Sequence, residues 1–375
     1  MRVLFTCGGT GGHIYPAIAV AKLLRERKPD CEILFVGAEN GMENRLVPRE
    51  GFALETLRIS SFQRQLTPKA LVHNAQTAYF VETALRKADG IISRFQPDVI
   101  VGTGGYASFP ALRVGAKRKI PTAVHESNAV PGLTTRMVQK TADAIMVSFS
   151  ESVCRYDAPE RVIVTGTPVR EEFIYTKKSD ARKELGLDDR PLIVSYWGSL
   201  GAREMNKKIV DFFACEQNDG FPYRHIHACG SYGWQWMPQY LKEHGIKLEE
   251  QTAIDMREFI FDMPKLMAAA DLVICRAGAA TIAEVAASGT PCIMVPSPNV
   301  TEHHQEKNAR VLESRGAAKV ICEEQCSGKI LYETAKTILN DKALSEQMRS
   351  NVRKIAVVDA TERIYDTILK ISRTQ

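Results

Sequence analysis

No stretch of this 375-residue chain reads as a membrane span. The longest run without Lys, Arg, Asp or Glu covers residues 3–21. Gly8-Gly9, Gly11-Gly12, His13 and Pro16 interrupt it, so it cannot form a straight apolar helix. The next longest, 285–301, is broken by Pro291, Pro296 and Pro298. The first residues, MRVLFTCGGTGG, lack the long apolar stretch and cleavage site of a secretory leader; they read as a first strand and predict a cytoplasmic protein. Cysteine patterning is missing too. The nine cysteines are scattered and odd in number, and Cys7, Cys229, Cys275 and Cys292 sit in apolar runs. They read as buried free thiols rather than a disulfide framework. Cys322 and Cys326 are close together, but no second ligand pair follows to complete a zinc site. Low-complexity segments and short-period repeats are absent.

What remains is ordinary globular composition, 45% hydrophobic and 25% charged, at a length that suits two domains. The net charge of +5 is unevenly spread: residues 1–160 hold 20 Lys+Arg against 15 Asp+Glu, and the remainder is balanced. A basic first half suits an anionic membrane or substrate, or is surface variation.

Apolar runs at 2–7, 32–36, 98–101, 122–125, 144–148 and 162–165 alternate with helical spacing, which begins with Ala17, Val20, Ala21 and Leu24. The pattern restarts at 192–196, 223–229, 272–275 and 292–295, and the tail from 327 is helical. Buried strands alternating with helices predict parallel sheets covered on both faces. The chain therefore reads as two doubly wound α/β domains with a boundary near 163–172. Ligands of such sheets bind at the carboxyl ends of the strands.

The glycine turns stand at those ends. Gly8-Gly9-Thr10-Gly11-Gly12-His13 precedes Pro16. Glycines let backbone N–H groups approach an anion, and a helix N-terminus adds free donors. The third glycine of the dinucleotide fingerprint is missing, and no G-K-[S/T] follows, so the turn suits a diphosphate but fits neither common nucleotide motif. His13 at its mouth either takes a proton from an attacking hydroxyl or only hydrogen-bonds locally. Gly102-Thr103-Gly104-Gly105-Tyr106 is a second such turn and suggests a second diphosphate. His125-Glu126-Ser127-Asn128 ends the next strand, where polar groups contact a sugar or transfer protons.

In the second half, Ser199-Leu200-Gly201-Ala202 starts one helix and Arg276-Ala277-Gly278-Ala279-Ala280 another. Glu284, one turn further, is placed to accept hydrogen bonds from a ribose or is a solvated charge. His303-His304 does not have the one-turn spacing of helical metal sites. His225 and His227 share a strand face without an evident third ligand.

In this order the motifs resemble the MurG family of glycosyltransferases over nearly the whole chain. The first half contributes Gly8–His13 with Pro16, Gly104-Gly105-Tyr106 with Ser108 and Pro110, and His125-Glu126-x-Asn128 with Gly132-Leu133-Thr134. Gly166-x-Pro168-Val169-Arg170 follows, then Gly198-Ser199-x-Gly201-Ala202-Arg203 with Asn206. Glu258-Phe259-Ile260 with Asp262-Met263, Cys275-Arg276-x-Gly278-Ala279, Glu284, and Gln305 with Asn308-Ala309 close the series.

The resemblance implies a GT-B fold, two Rossmann-like doubly wound domains facing a deep cleft. The domains would be residues 1–165 for acceptor and membrane, 166–358 for the donor, and 359–375 as a helix returning to the first. It implies an inverting transfer of N-acetylglucosamine (GlcNAc) from UDP-GlcNAc to the 4-hydroxyl of a muramyl-pentapeptide-pyrophosphoryl-undecaprenol, in peptidoglycan synthesis. Donor contacts would come from Thr10, Gly11, Gly12, Asn128, Arg170, Ser199, Ile260 (uracil), Ala279, Ala280, Thr281, Ile282, Ala283, Glu284 (ribose) and Gln305 (GlcNAc). The acceptor pyrophosphate would lie near Gly104, Gly105 and Tyr106. His13 is the preferred base and Glu126 the alternative. No cofactor would be required, though Mg²⁺ assistance stays open, and no resident metal or nucleic-acid partner is implied. The enzyme would sit on the cytoplasmic face of the membrane as a peripheral protein. Phe62, Leu66, Leu71, Val72, Tyr79 and Phe80 beside Arg64 and Lys69, with Lys117-Arg118-Lys119, would contact anionic lipid, or form an amphipathic helix packed inward.

Three positions depart from the family pattern, one of them His304 before Gln305, where some relatives have Gln. Trp197 and Leu200 stand in a turn expected to read Gly-Gly-Ser-Gln-Gly, so bulk is expected beside the donor turn. Rival readings are another GT-B UDP-sugar enzyme such as a hexosamine epimerase, a non-catalytic nucleotide-sugar-binding subunit, and a nicotinamide oxidoreductase.

Overall fold

The computed structural model describes residues 1–60 and 67–372. The chain divides into two compact units, Met1–Val169 with Val357–Gln375, and Arg170–Ala356. The crossings fall at 169/170 and 356/357 rather than at 165/166 and 358/359. Local contacts explain the shift. The Gly166 carbonyl accepts from His125 Nε2 at 2.8 Å, and Gly166 packs against Val357. Both segments are thereby held in the first unit.

The first unit is a seven-stranded sheet built from β1 (Arg2–Thr6), β2 (Glu32–Ala38), β3 (Ala53–Leu57), β4 (Val99–Gly102), β5 (Thr122–Glu126), β6 (Ala144–Val147) and β7 (Val162–Val164). All pairs are parallel, in the order β3-β2-β1-β4-β5-β6-β7. Successive side chains of a strand point to opposite faces. Val3, Phe5 and Cys7 accordingly join one core with α1 (Gly11–Arg27), and Leu4 joins the other. The short helix α2 (Glu43–Arg49) follows β2, and α3 (Pro68–Phe95) and α4 (Ser108–Lys117) cover the second face. A short α5 (Leu133–Val138) follows β5. The last helix, Ala360–Ser372, buries Ile364, Tyr365 and Ile368 in the core of α1, and Arg27 pairs with Glu362 at its rim.

The second unit has six strands: β8 (Leu192–Tyr196), β9 (Arg224–Ala228), β10 (Ile254–Arg257), β11 (Leu272–Cys275), β12 (Cys292–Met294) and β13 (Ala318–Val320). They are parallel in the order β10-β9-β8-β11-β12-β13. In each sheet the order reverses beside the first strand, between β1 and β4 and between β8 and β11. Such a switch point opens a crevice at the carboxyl ends. The register aligns those ends. Thr6 pairs with Gly102 and Gly102 with Val124, so the turns after β1, β4 and β5 emerge side by side. Tyr196 pairs with both Cys275 and Ala228, which does the same for the turns after β8, β9 and β11.

Candidate functional site

In the first unit the two glycine turns touch. Gly105 has φ +81°, and a Cβ there would overlap the carbonyl oxygen of Gly8, so only glycine lets the backbones meet. Thr10 ends the first turn with extended backbone, and Gly11 begins α1, six residues before the helical spacing of the sequence begins. Glycine in the first helical turn hides the helix start from any pattern of apolar residues.

Beneath the turn lies Glu43, with no solvent exposure. Its Oε1 accepts from the N–H of Ala38 at 2.7 Å and its Oε2 from the N–H of Gly9 at 3.4 Å. A Cβ at Gly8, Gly37 or Gly41 would strike this carboxylate. Sequence reasoning missed Glu43, since its partners lie on other elements. The nearby thiol of Cys7 is raised far above its ordinary range, by burial first and then by the Glu43 charge. Burial also raises the Tyr106 hydroxyl, and Glu43 adds to the effect.

His13 Nδ1 lies 3.0 Å from the Gly8 carbonyl. A carbonyl only accepts, so Nδ1 carries a proton, and in the neutral ring the lone pair falls on Nε2. Thr103 Oγ1 donates to the His13 carbonyl at 2.6 Å, and the imidazole edge lies against Gly104. The histidine is thus fixed in place and in tautomer, with Nε2 able to take a proton.

Glu126 is arranged differently. Its carboxylate is buried and accepts four hydrogen bonds: Oε1 from the backbone N–H and side-chain amide of Asn128, both at 3.1 Å, and Oε2 from the Gly132 N–H at 2.8 Å and the Thr135 hydroxyl at 2.7 Å. It folds the loop that bears Asn128 and has little capacity left for a substrate proton. His125 is buried, donates from Nε2 to Gly166, and is held below its ordinary pKa by burial.

Arg170, Ser199, Ile260, Ala279–Glu284 and Gln305 fall in the second unit. The helix Ala279–Ser288 starts at Gly278 without a side-chain cap, so the first N–H groups are free to meet an anion. Asn308, fully buried, donates to the Ala277 carbonyl at 3.3 Å and fixes this turn. Glu284 is partly buried. Desolvation pushes its carboxyl up to about 7, opposed by the charge of Arg170. Gln305 Oε1 accepts from the Ser297 N–H at 2.9 Å. Ile260 is buried, while its chain neighbours Phe259 and Phe261 are exposed and pack edge to face with centroids 4.9 Å apart. Ser199 and Leu200 are exposed, but Trp197 is not beside the turn as expected: its indole packs in the core of the unit. Trp197 directly follows β8 and continues the face of Ile193, with which it shares a core.

His225 and His227 belong to a buried relay under the same turn. Asn206 Nδ2 donates to the Cys229 carbonyl at 2.8 Å, leaving its Oδ1 to accept from His227 Nε2 at 3.3 Å. His227 Nδ1 then accepts from the Ser195 hydroxyl at 2.7 Å, consistent with burial holding His227 neutral, its pKa down to about 3. Ser195, its proton spent, accepts from His225 Nε2 at 2.8 Å. His225 Nδ1 meets both oxygens of Glu216 at 3.3 Å, and one proton is shared there. The relay ends at Cys229, whose carbonyl a Cβ on Gly201 would overlap. Among the described residues no group of three or more His, Cys, Asp or Glu is placed to hold a metal ion.

The geometry has counterparts among known proteins. The N-terminal domain of glycosyltransferase family 28 matches residues 3–147, and its C-terminal domain matches 193–364. The chain is 41% identical over 373 residues to the UDP-N-acetylglucosamine--N-acetylmuramyl-(pentapeptide) pyrophosphoryl-undecaprenol N-acetylglucosamine transferase of Thermoanaerobacter sp. (strain X514), covering 99% of this chain and 100% of that one. It is 35% identical over 374 residues to the protein of that description from Listeria monocytogenes, covering 100% of both. The crystal structure of Acinetobacter baumannii MurG matches with a TM-score of 0.78 at 28% identity, over 98% of this chain and 99% of that one. The UDP-GlcNAc 2-epimerase from Neisseria meningitidis, at 14% identity and a TM-score of 0.65 over 99% of this chain and 100% of that one, shares the fold.

The raised carboxyl of Glu284 has a measurable consequence. The fold keeps it protonated at pH values where the unfolded chain, at an ordinary 4.5, is already ionised. Its contribution therefore turns against the fold as pH rises from about 4.5 to about 7 and is fully unfavourable above, by at most about 3 kcal/mol. Glu284→Gln should gain stability relative to the parent across that window and hold the gain above it, as read by urea unfolding. A difference that does not change with pH would contradict the assignment.

Proposed function

Since the chain belongs to glycosyltransferase family 28, we propose that it moves GlcNAc from UDP-GlcNAc to the 4-hydroxyl of a muramyl-pentapeptide-pyrophosphoryl-undecaprenol, the step that completes the lipid-linked disaccharide of peptidoglycan. One observation carries this reading: 41% identity over 99% of this chain to a full-length relative whose described activity is that transfer.

On this reading His13 Nε2 takes the proton of the attacking hydroxyl. The hydroxyl oxygen forms the new bond at the anomeric carbon as the bond to UDP breaks on the opposite face, inverting the centre. The tautomer set by Gly8 supports this role, and the four hydrogen bonds on Glu126 favour His13 over it. The departing diphosphate is stabilised by the uncapped N–H groups of Ala279–Ser288 and by Ser199. Glu284 accepts from the ribose, Gln305 contacts the sugar, and the backbone at Ile260 meets the uracil. Gly104, Gly105 and Tyr106 receive the acceptor pyrophosphate. The transfer requires no cofactor.

Peripheral attachment to the cytoplasmic face of an anionic membrane belongs to the same proposal. No helix among the described residues is long and apolar enough to cross a membrane. Lys117, Arg118 and Lys119 are exposed at the end of α4, and Tyr79 is exposed on α3. Phe62, Arg64 and Leu66 lie outside the described residues, as do the side chains of Lys69, Leu71 and Val72. Sedimentation should show stronger binding to anionic than to neutral vesicles; equal binding would remove the electrostatic part.

UDP release from UDP-GlcNAc, with and without the lipid-linked acceptor, tests the transfer. Release that depends on acceptor is expected; release without it would indicate an epimerase or hydrolase instead. In the same assay His13→Ala should lower kcat by about 10²–10⁴-fold with little change in UDP-GlcNAc affinity. A near-normal kcat would dismiss His13 as the base.

A further inference from the structure

The second unit has a cleft of about 1100 Å³ at the end of its sheet opposite the glycine turns. Its walls include Pro191 and Asp271, which directly precede β8 and β11, and Ser288 at the end of the helix Ala279–Ser288. One face of the helix Lys342–Ile355 lines it with Lys342, Glu346, Arg349 and Arg353, and Lys177 and Lys178 face it from the segment after the first crossing.

The charges of this cleft are not balanced from within. Five cations line it against two carboxylates, Asp271 and Glu346. Asp271 already serves Lys178, Arg182 and the Leu192 N–H. Lys177, Lys342 and Arg353 have no carboxylate within ion-pair distance among the described residues. Arg349 is the decisive residue. Its side chain is 15% exposed, its Nη1 donates to the Gly289 carbonyl at 3.2 Å, and its carboxylate neighbour, Glu346, is 3.8 Å away and 72% exposed. Burial of this guanidinium lowers its pKa by more than the charges of Asp271 and Glu346 raise it. A desolvated cation is costly unless paired, and a guanidinium fork matches phosphate oxygens.

We propose that this cleft is a second anion-binding site, distinct from the proposed donor turns, which takes a phosphate-type oligoanion between Arg349, Arg353, Lys342 and the Lys177-Lys178 pair. Its volume exceeds that of a single phosphate and suits several linked ones. It adjoins Gly289, the C-terminal cap of the helix whose N-terminus is assigned above to the donor diphosphate, so the two anions would occupy opposite ends of one ten-residue helix.

Inorganic tripolyphosphate is the probe. The full chain, saturated with UDP so that any donor site is filled, is titrated calorimetrically. Saturable binding at one site per chain is expected. Lys342→Glu combined with Arg353→Glu should weaken it at least about tenfold, since both lost cations become repulsive. Both positions are exposed, and an unchanged Tm confirms the fold. Lys319→Glu with Lys329→Glu, also exposed and equal in charge change, should leave binding within about twofold. Binding abolished by UDP, no binding at all, or equal losses in the two double variants would overturn the proposal. Were UDP itself not to bind, the two variants titrated without it still decide the question.

Discussion

A carboxylate shut away from water holds the first glycine turn. Glu43 accepts backbone N–H groups from Ala38 and Gly9, and glycines at 8, 37 and 41 leave room for it. Gly105 closes on the Gly8 carbonyl from the other side. That carbonyl orients His13, so the placing of the imidazole depends on a chain of contacts beginning at a residue buried beneath the turn. Burying a charge is unfavourable unless donors replace its water, and here the backbone supplies them.

The second unit meets the same need with neutral groups. Its glycine turn rests on Cys229, and Cys229 is tied through Asn206, His227, Ser195 and His225 to Glu216. Each polar atom along this line has a partner, with every donor pointing one way. A satisfied buried network of this kind rigidifies what lies above it. Both units thus place flexible glycine backbone on a polar support in the core, and backbone N–H groups gain a fixed geometry for anions without side chains of their own.

The sequence made the centre of each sheet legible and its margins obscure. β1, β4, β8 and β11 are buried on both faces and read as apolar runs. β3, β10 and β13 escaped notice because their residues are mixed, as in ALETL, IDMR and AKV, and do not read as apolar runs, whereas the edge strand β7 is VIV. The turns were visible because glycine marks them. Their supports were not: Glu43 lies 34 residues from Gly9, and the relay unites β8, β9 and the helix Arg203–Asn218, whose neighbours only the fold defines. Trp197, expected to crowd the turn after β8, is in the core, so of the two departures in that turn only Leu200 faces outward. The cationic cleft was invisible for the same reason, as its residues come from segments about 170 positions apart that the fold alone brings together.

The tautomer of His13 is the most direct test of this account. An imidazole ¹⁵N–¹H correlation spectrum of the neutral protein, with His13 identified by its loss in His13→Gln, reports which nitrogen carries the proton. The account predicts protonated Nδ1 and a free lone pair on Nε2, fixed by the Gly8 carbonyl. A proton on Nε2 would contradict it, because the nitrogen assigned to receive the substrate proton would already be occupied.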